Sequence, residues 1–152
     1  MAIDVEQAKA LELAPNTVKV ERGRLRFFAK AIGETDPVYS DTDAAKRAGH
    51  SDLPVPPTFL FSMELESPDP FGYLADLGVD LRRVLHGEQS FTYHSMAHAG
   101  ETLTLQPRIV DVLSKKGGAM EFLLKRTDIT RDGELVAEAT STIIVRNPEM
   151  AE

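Results

Sequence analysis

Apolar residues along this chain keep two different periods. From Glu21 to Ile32 they fall three and four apart, placing Leu25, Phe27, Phe28, Ala31 and Ile32 on one side of a predicted helix that Gly33 stops. After a turn at Asp36-Pro37, the stretch from Asp41 to Gly49 reads as a short helix capped by Asp41 or Thr42. Pro54, Pro56 and Pro57 interrupt regular structure, and the nearly continuous apolar run from Thr58 to Met63 then predicts a third helix, N-capped by Thr58 and buried on all sides. From Ser67 to Asp80, Pro68, Pro70, Gly72 and Gly78 stand among Phe71, Tyr73 and Leu74, the composition of an irregular flap over an apolar surface.

In the second half the period becomes two. Leu103, Leu105, Pro107 and Ile109 alternate with polar residues, then Met120, Phe122 and Leu124, then Leu135, Ala137, Ala139, Ser141, Ile143 and Val145. Gly117-Gly118 and Asp132-Gly133 read as hairpin turns between these runs, and Leu85 to Ser95 as a further strand. Helices followed by an antiparallel meander make an α+β chain. Residues 1–152 are expected to form one domain whose ends, before about Thr17 and after Asn147, are loosely attached.

A content of 42% hydrophobic and 27% charged residues is ordinary for a globular fold and excludes disorder as the dominant state. Against 17 Lys and Arg stand 24 Asp and Glu, so the net charge of −7 repels phosphate backbones and anionic lipid, and no nucleic-acid partner is expected. The absence of Cys removes disulfides, thiolate zinc sites and a cysteine nucleophile. No run of about 18 apolar residues is present, and Met1 to Gln7 lack the pattern of a secretory signal, so a cytoplasmic protein without membrane association is expected.

His50-Ser51-Asp52 holds the residue types of a hydrolase triad, but neighbours in a loop cannot form its chain of side-chain contacts. His94 and His98 fall in a strand-like stretch, where four residues span about 13 Å, too far for one metal. No glycine-rich phosphate loop follows a strand. What remains is Gly33-Glu34-Thr35-Asp36-Pro37-Val38-Tyr39, then Pro56-Pro57-Thr58-Phe59, then Leu85-His86-Gly87-Glu88-Gln89, followed by Ala99-Gly100-Glu101-Thr102-Leu103.

In this order, from about Thr17 to Arg146, the chain resembles the MaoC-like hydratase/dehydratase family, in particular its N-terminal, FAS1-like dehydratase type. It is similar to the non-catalytic half of (R)-specific enoyl-CoA hydratases and to small subunits of (3R)-hydroxyacyl-thioester dehydratases. The resemblance implies a hot-dog fold, an antiparallel sheet wrapped around the helix from Thr58 to Leu65, working as a homodimer or heterodimer with a second hot-dog subunit on an acyl-CoA or acyl-carrier-protein thioester. No cofactor and no metal are implied. Active members carry aspartate, any residue, asparagine, proline, an aliphatic residue and histidine where this chain has Glu34, Thr35, Asp36, Pro37, Val38 and Tyr39.

Tyrosine, with an ordinary pKa near 10, is a poor replacement for a histidine base near 6.5. The resemblance therefore implies a subunit that accommodates substrate for a catalytic partner, with Asp36, Pro57, Thr58, Phe59 and Gly87 as substrate-binding positions and the flap from Pro70 to Gly78 lining a tunnel with Phe59, Leu60 and Met63. For Leu60 and Met63 plain core is the stronger expectation. Two alternatives stand beside it: a self-sufficient homodimer in which Glu34 works with His86 or, less well placed, His50, with Tyr39 beside them, and a thioester-binding or thioesterase hot dog that uses Glu34 alone.

Overall fold

The computed structural model describes residues 2–150. Strands β1 (Asn16–Lys19), β2 (Val84–Tyr93), β3 (Thr102–Lys115), β4 (Met120–Arg131) and β5 (Glu134–Arg146) form one antiparallel sheet in the order β1-β3-β4-β5-β2. Both predicted hairpins are present. Asp132 and Gly133 take φ of 50° and 80°, the mirror-image turn whose twist matches that of the flanking strands. Register shifts between His86 and Glu88, Ile109 and Asp111, and Ile129 and Thr130 mark bulges that bend the long strands around what they enclose. Pro107 lies just beyond the segment of β3 that β1 covers, where a missing N–H costs no ladder bond on that edge.

The enclosed element is α4 (Phe59–Glu64), following α1 (Val5–Ala10), α2 (Arg22–Ala31) and α3 (Thr42–Arg47), and itself followed by α5 (Gly72–Asp76). Phe59, Leu60 and Met63 are buried against Leu103, Leu105, Ile129, Val136, Ala137 and Ala139 of the sheet, while Phe61 and Ser62 are half-buried. Each apolar side chain so buried contributes about 1.5–3 kcal/mol. Ile3, Ala8, Tyr73, Leu74, Ile109, Val112, Leu123, Ile143 and Val145 form a second cluster. A sheet closing over one short buried helix is the expected α+β architecture, and no helix among the described residues is long and apolar enough to cross a membrane.

Five details differ from the sequence-based expectations. In α2, Leu25 and Ala29 face the core with Phe28 packed beside them, whereas Phe27 and Ile32 are 75% and 55% exposed. Thr58 precedes α4 with helical φ/ψ of −81° and −7° and makes no capping bond, unlike Asp41, which caps α3 by accepting from the Asp43 and Ala44 amides. The flap contains α5, whose Tyr73 and Leu74 are buried. In β4 the inward face is Glu121, Leu123, Thr127 and Ile129; Met120, Phe122 and Leu124 lie half-buried on the outside.

The segment before Thr17 is packed through Ile3 and Ala8, and Asn147 is tied to the sheet. The Ile3 amide donates to Glu121 Oε1 at 2.7 Å and Asn147 Nδ2 donates to Glu121 Oε2 at 2.8 Å, with Ile3, Glu121 and Asn147 all buried.

Candidate functional site

The loop after α2 is built from carboxylates turned onto its own backbone. Gly33, at φ 75°, ends the helix, and the Glu34 amide reaches back to the Ala29 carbonyl at 2.9 Å. Glu34 Oε1 then accepts from the Asp36 amide at 2.9 Å, and Asp36 Oδ1 from the Val38 amide at 3.0 Å, setting up a single 3-10 turn over Pro37–Tyr39. Glu34 and Asp36 are exposed and Tyr39 is half-buried. Burial, and then the negative charges of Glu34 and Asp36, push the Tyr39 phenol above its ordinary pKa. It therefore keeps its proton at neutral pH and supplies a donor, not a base.

Phe59, placed by sequence at the substrate, is turned inward: its ring meets Phe28 edge to face at 5.1 Å and lies under the Arg24 guanidinium at 5.4 Å. Pro57 and Thr58 are exposed at the start of α4. His86, on β2, faces the other end of α4, its ring 5.0 Å from that of Phe61 and its Nε2 3.1 Å from the Glu88 carbonyl. Gly87 is the extra residue of the β2 bulge, and a Cβ there would stand 2.5 Å from Ile144 Cδ1.

Helix α4 has six residues, hence about 9 Å of length, under strands several times as long. Past its C-terminal end the inner face of the sheet is roofed by α5 and the loop before it, leaving an apolar cavity of about 320 Å³ lined by Phe61, Leu65, Phe71, Leu74, Leu85, His86 and Ile143, among others. A more polar cavity of about 240 Å³ lies on the other side of Glu64, Tyr73 and Lys125. A third, of about 320 Å³, lies beside Pro57 and Leu60 toward Tyr93 and Met96. The structure thus separates the expected site residues. His86 lines the first cavity and Pro57 the third, while Glu34, Asp36, Tyr39, Thr58, Phe59 and Gly87 line none of the three.

Sequence reasoning passed over the polar residues inside the fold. Lys125 Nζ bonds Glu64 Oε2 at 2.8 Å with the two side chains 12% and 6% exposed, and Lys125 stands opposite Ser141 in the ladder. Their signal was an acid within an apolar helix and a lysine two residues from Leu123 and Thr127 on one strand face. His50 Nδ1 and His98 Nε2 lie 3.1 Å apart, one donating to the other, and His98 Nδ1 is 3.5 Å from Glu101 Oε1; His94 instead pairs with Glu138 at 2.9 Å. Among the described residues no three His, Asp or Glu side chains converge as metal ligands.

Comparison with known proteins places this geometry. Residues 7–139 match the family described as FAS1-like, dehydratase domain region. A UPF0336 protein of Saccharopolyspora erythraea is 36% identical over 129 residues, covering 84% of this chain and 81% of that one. Among solved structures, the C-terminally truncated HadBC (3R-hydroxyacyl-ACP dehydratase) complex of Mycobacterium tuberculosis contains a chain 27% identical with a TM-score of 0.75, covering 88% of this chain and 93% of that one. The ChsH1-ChsH2 complex of the same organism contains one 25% identical with a TM-score of 0.77, covering 94% of each. With the family match spanning most of its length and the sheet closed over α4, the chain belongs to the FAS1-like dehydratase family of hot-dog proteins.

Proposed function

We propose that this chain is the substrate-accommodating subunit of an (R)-specific enoyl-thioester hydratase, equally a (3R)-hydroxyacyl-thioester dehydratase, working beside a catalytic hot-dog subunit. In that reaction water adds across the α,β double bond, hydroxyl to the β-carbon and proton to the α-carbon, or is eliminated in the reverse sense. A general base must hold the water, and one poised near the working pH is needed. The observation that carries the reading is the loop from Glu34 to Tyr39. The motif's histidine place holds a phenol that keeps its proton, and the Glu34 carboxylate is engaged by the Asp36 amide. The apolar cavity beyond α4 supplies what this subunit contributes instead, a lodging for the acyl chain. That two structural relatives are described as two-subunit complexes supports a second hot-dog subunit as partner.

The test is hydration of crotonyl-CoA and of longer 2-enoyl-CoAs, followed by loss of enoyl absorbance. The purified chain alone is expected to be inactive, and activity is expected on adding a hot-dog subunit that carries the intact aspartate and histidine. Turnover by the chain alone would overturn the reading. A second reading, a self-sufficient homodimer, is favoured by one observation: His86 lines the cavity. Under it the chain alone turns over and His86→Gln abolishes the activity. Thioesterase action through Glu34 would be seen as release of free thiol.

A further inference from the structure

Three buried side-chain oxygens among the described residues have no hydrogen-bond partner: Glu64 Oε1, Tyr73 Oη and Thr127 Oγ1. All three side chains, with Lys125, line the polar cavity, and Glu64, Tyr73 and Lys125 also line the apolar one. The polar group is therefore the partition between the two. It sits where the two apolar clusters meet, since Leu123 and Ile143 belong to one and Ile129 and Ala139 to the other, with Lys125, Thr127 and Ser141 between them on β4 and β5. Buried polar atoms are normally satisfied, and a group of three left open in one place marks a position built for an outside partner.

The chemistry of that partner follows from what is offered. Tyr73 is pushed far above its ordinary pKa by burial and by the Glu64 charge, so it presents an O–H. Lys125 Nζ has donors beyond the one given to Glu64, and Thr127 offers a hydroxyl. Glu64 Oε1 can only accept while its other oxygen is held by Lys125. A methyl-ended chain reaching this partition would leave every one of these groups unmet, and a carbonyl oxygen, which only accepts, would leave Glu64 Oε1 open. An alcohol answers both sides, donating to Glu64 Oε1 and accepting from Tyr73 Oη.

We infer that the Glu64–Lys125–Tyr73–Thr127 group is a specificity site for a hydroxyl carried by the acyl chain far from the thioester, at the inner end of the apolar cavity. The inference rests on the acyl-thioester reading above and adds to it the class of acyl group. Two new hydrogen bonds, one neutral and one to a carboxylate, give a preference of at least about tenfold.

The experiment is calorimetric titration of the chain, alone and in the complex with its catalytic partner, using matched acyl-CoAs from hexanoyl to dodecanoyl with and without a terminal hydroxyl. At the length that brings the hydroxyl to the partition, the hydroxylated member is expected to bind at least about tenfold tighter. Tyr73→Phe keeps the ring that fills the core and is expected to cut that preference several-fold without weakening the methyl-ended member. Removing both charges together, Glu64→Met with Lys125→Met, avoids stranding either one and is expected to lower the preference, leaving only what the Tyr73 hydroxyl supplies. Equal binding of the two members at every length, or a Tyr73→Phe variant that weakens both alike, overturns the inference and leaves the acyl-binding reading intact. Binding of neither member in either preparation overturns that reading and this inference with it.

Discussion

Tyr39 is held in its neutral form by two influences of the same sign, its partly desolvated ring and the carboxylates of Glu34 and Asp36. If the loop supplies shape and not proton transfer, Tyr39→Phe and Glu34→Gln should each leave the activity of the assembled enzyme within a few-fold, measured as enoyl-CoA hydration. A general acid or base in their place would cost about 100- to 10,000-fold. A hundredfold loss from Glu34→Gln with an unchanged circular dichroism spectrum would promote Glu34 to the catalytic base.

The Arg22–Asp52 pair contributes to behaviour in acid. The Arg22 guanidinium bonds both oxygens of Asp52, between 2.6 and 3.2 Å, and holds its carboxyl down at about 2. Because the folded-state value lies below the unfolded one of about 3.9, the stabilisation is complete above that pH and is lost as pH falls toward the folded value. Melting temperature measured against pH should therefore drop between about pH 4 and pH 2. Asp52→Asn should flatten that part of the drop; an identical slope in wild type and variant would remove Asp52 as its source.

Among the elements, β2 shows how one residue fixes local shape. Gly87 is the extra residue of its bulge, and a methyl there would meet Ile144 Cδ1 at 2.5 Å and the Thr142 carbonyl at 3.3 Å. Gly87→Ala should destabilise by about 1–3 kcal/mol, read from urea denaturation, because the Ile144 side chain must leave its position to admit the methyl. A change below about 0.5 kcal/mol, the size of an ordinary surface substitution, would show that Ile144 yields freely.

The elements also show why some of the chain was readable in advance. In β5 the alternation from Ala137 to Val145 points inward as expected, since its inner residues are apolar or, like Ser141, small. In β4 the same reasoning selects the outer face. Met120, Phe122 and Leu124 outrank Glu121, Lys125 and Thr127 in hydrophobicity, yet the polar set lies inside, where Ile3 and Asn147 pair with Glu121 and Glu64 pairs with Lys125 from positions remote in sequence. Helix α1 was invisible for the same reason: its six residues carry one buried side chain, Ala8, and the segment is fixed through Ile3. The candidate motif was legible as a pattern of residue types; that its carboxylates serve the loop's own amides was not, because only the backbone path decides it.

For the whole molecule, β2 is one of the sheet's two edge strands. The strand ends the sheet with Leu85 and Tyr93 49% and 48% exposed and Phe91 half-buried. A long edge with apolar side chains is covered or paired in stable proteins, and a second hot-dog unit docking there would extend the sheet. Leu85→Lys with Tyr93→Lys should weaken self-association or binding of the partner subunit by about thirtyfold or more, the two contacts each being worth more than about 1 kcal/mol. Sedimentation velocity measures this, and unchanged association would move the interface off β2.

The Glu121 carboxylate has a further consequence. Since the Ile3 amide and the Asn147 side chain bond the two oxygens of this one carboxylate, Ile3 and Asn147 lie close together. A short glycine-serine linker should therefore splice residue 147 back to residue 3, and the polypeptide can be reopened at the exposed Asp132-Gly133 turn without cutting a strand. Such a circularly permuted protein should fold with the parent's circular dichroism spectrum and melt cooperatively, whereas reopening inside β4 should not. The order in which this sheet is threaded would then be separable from the shape it takes.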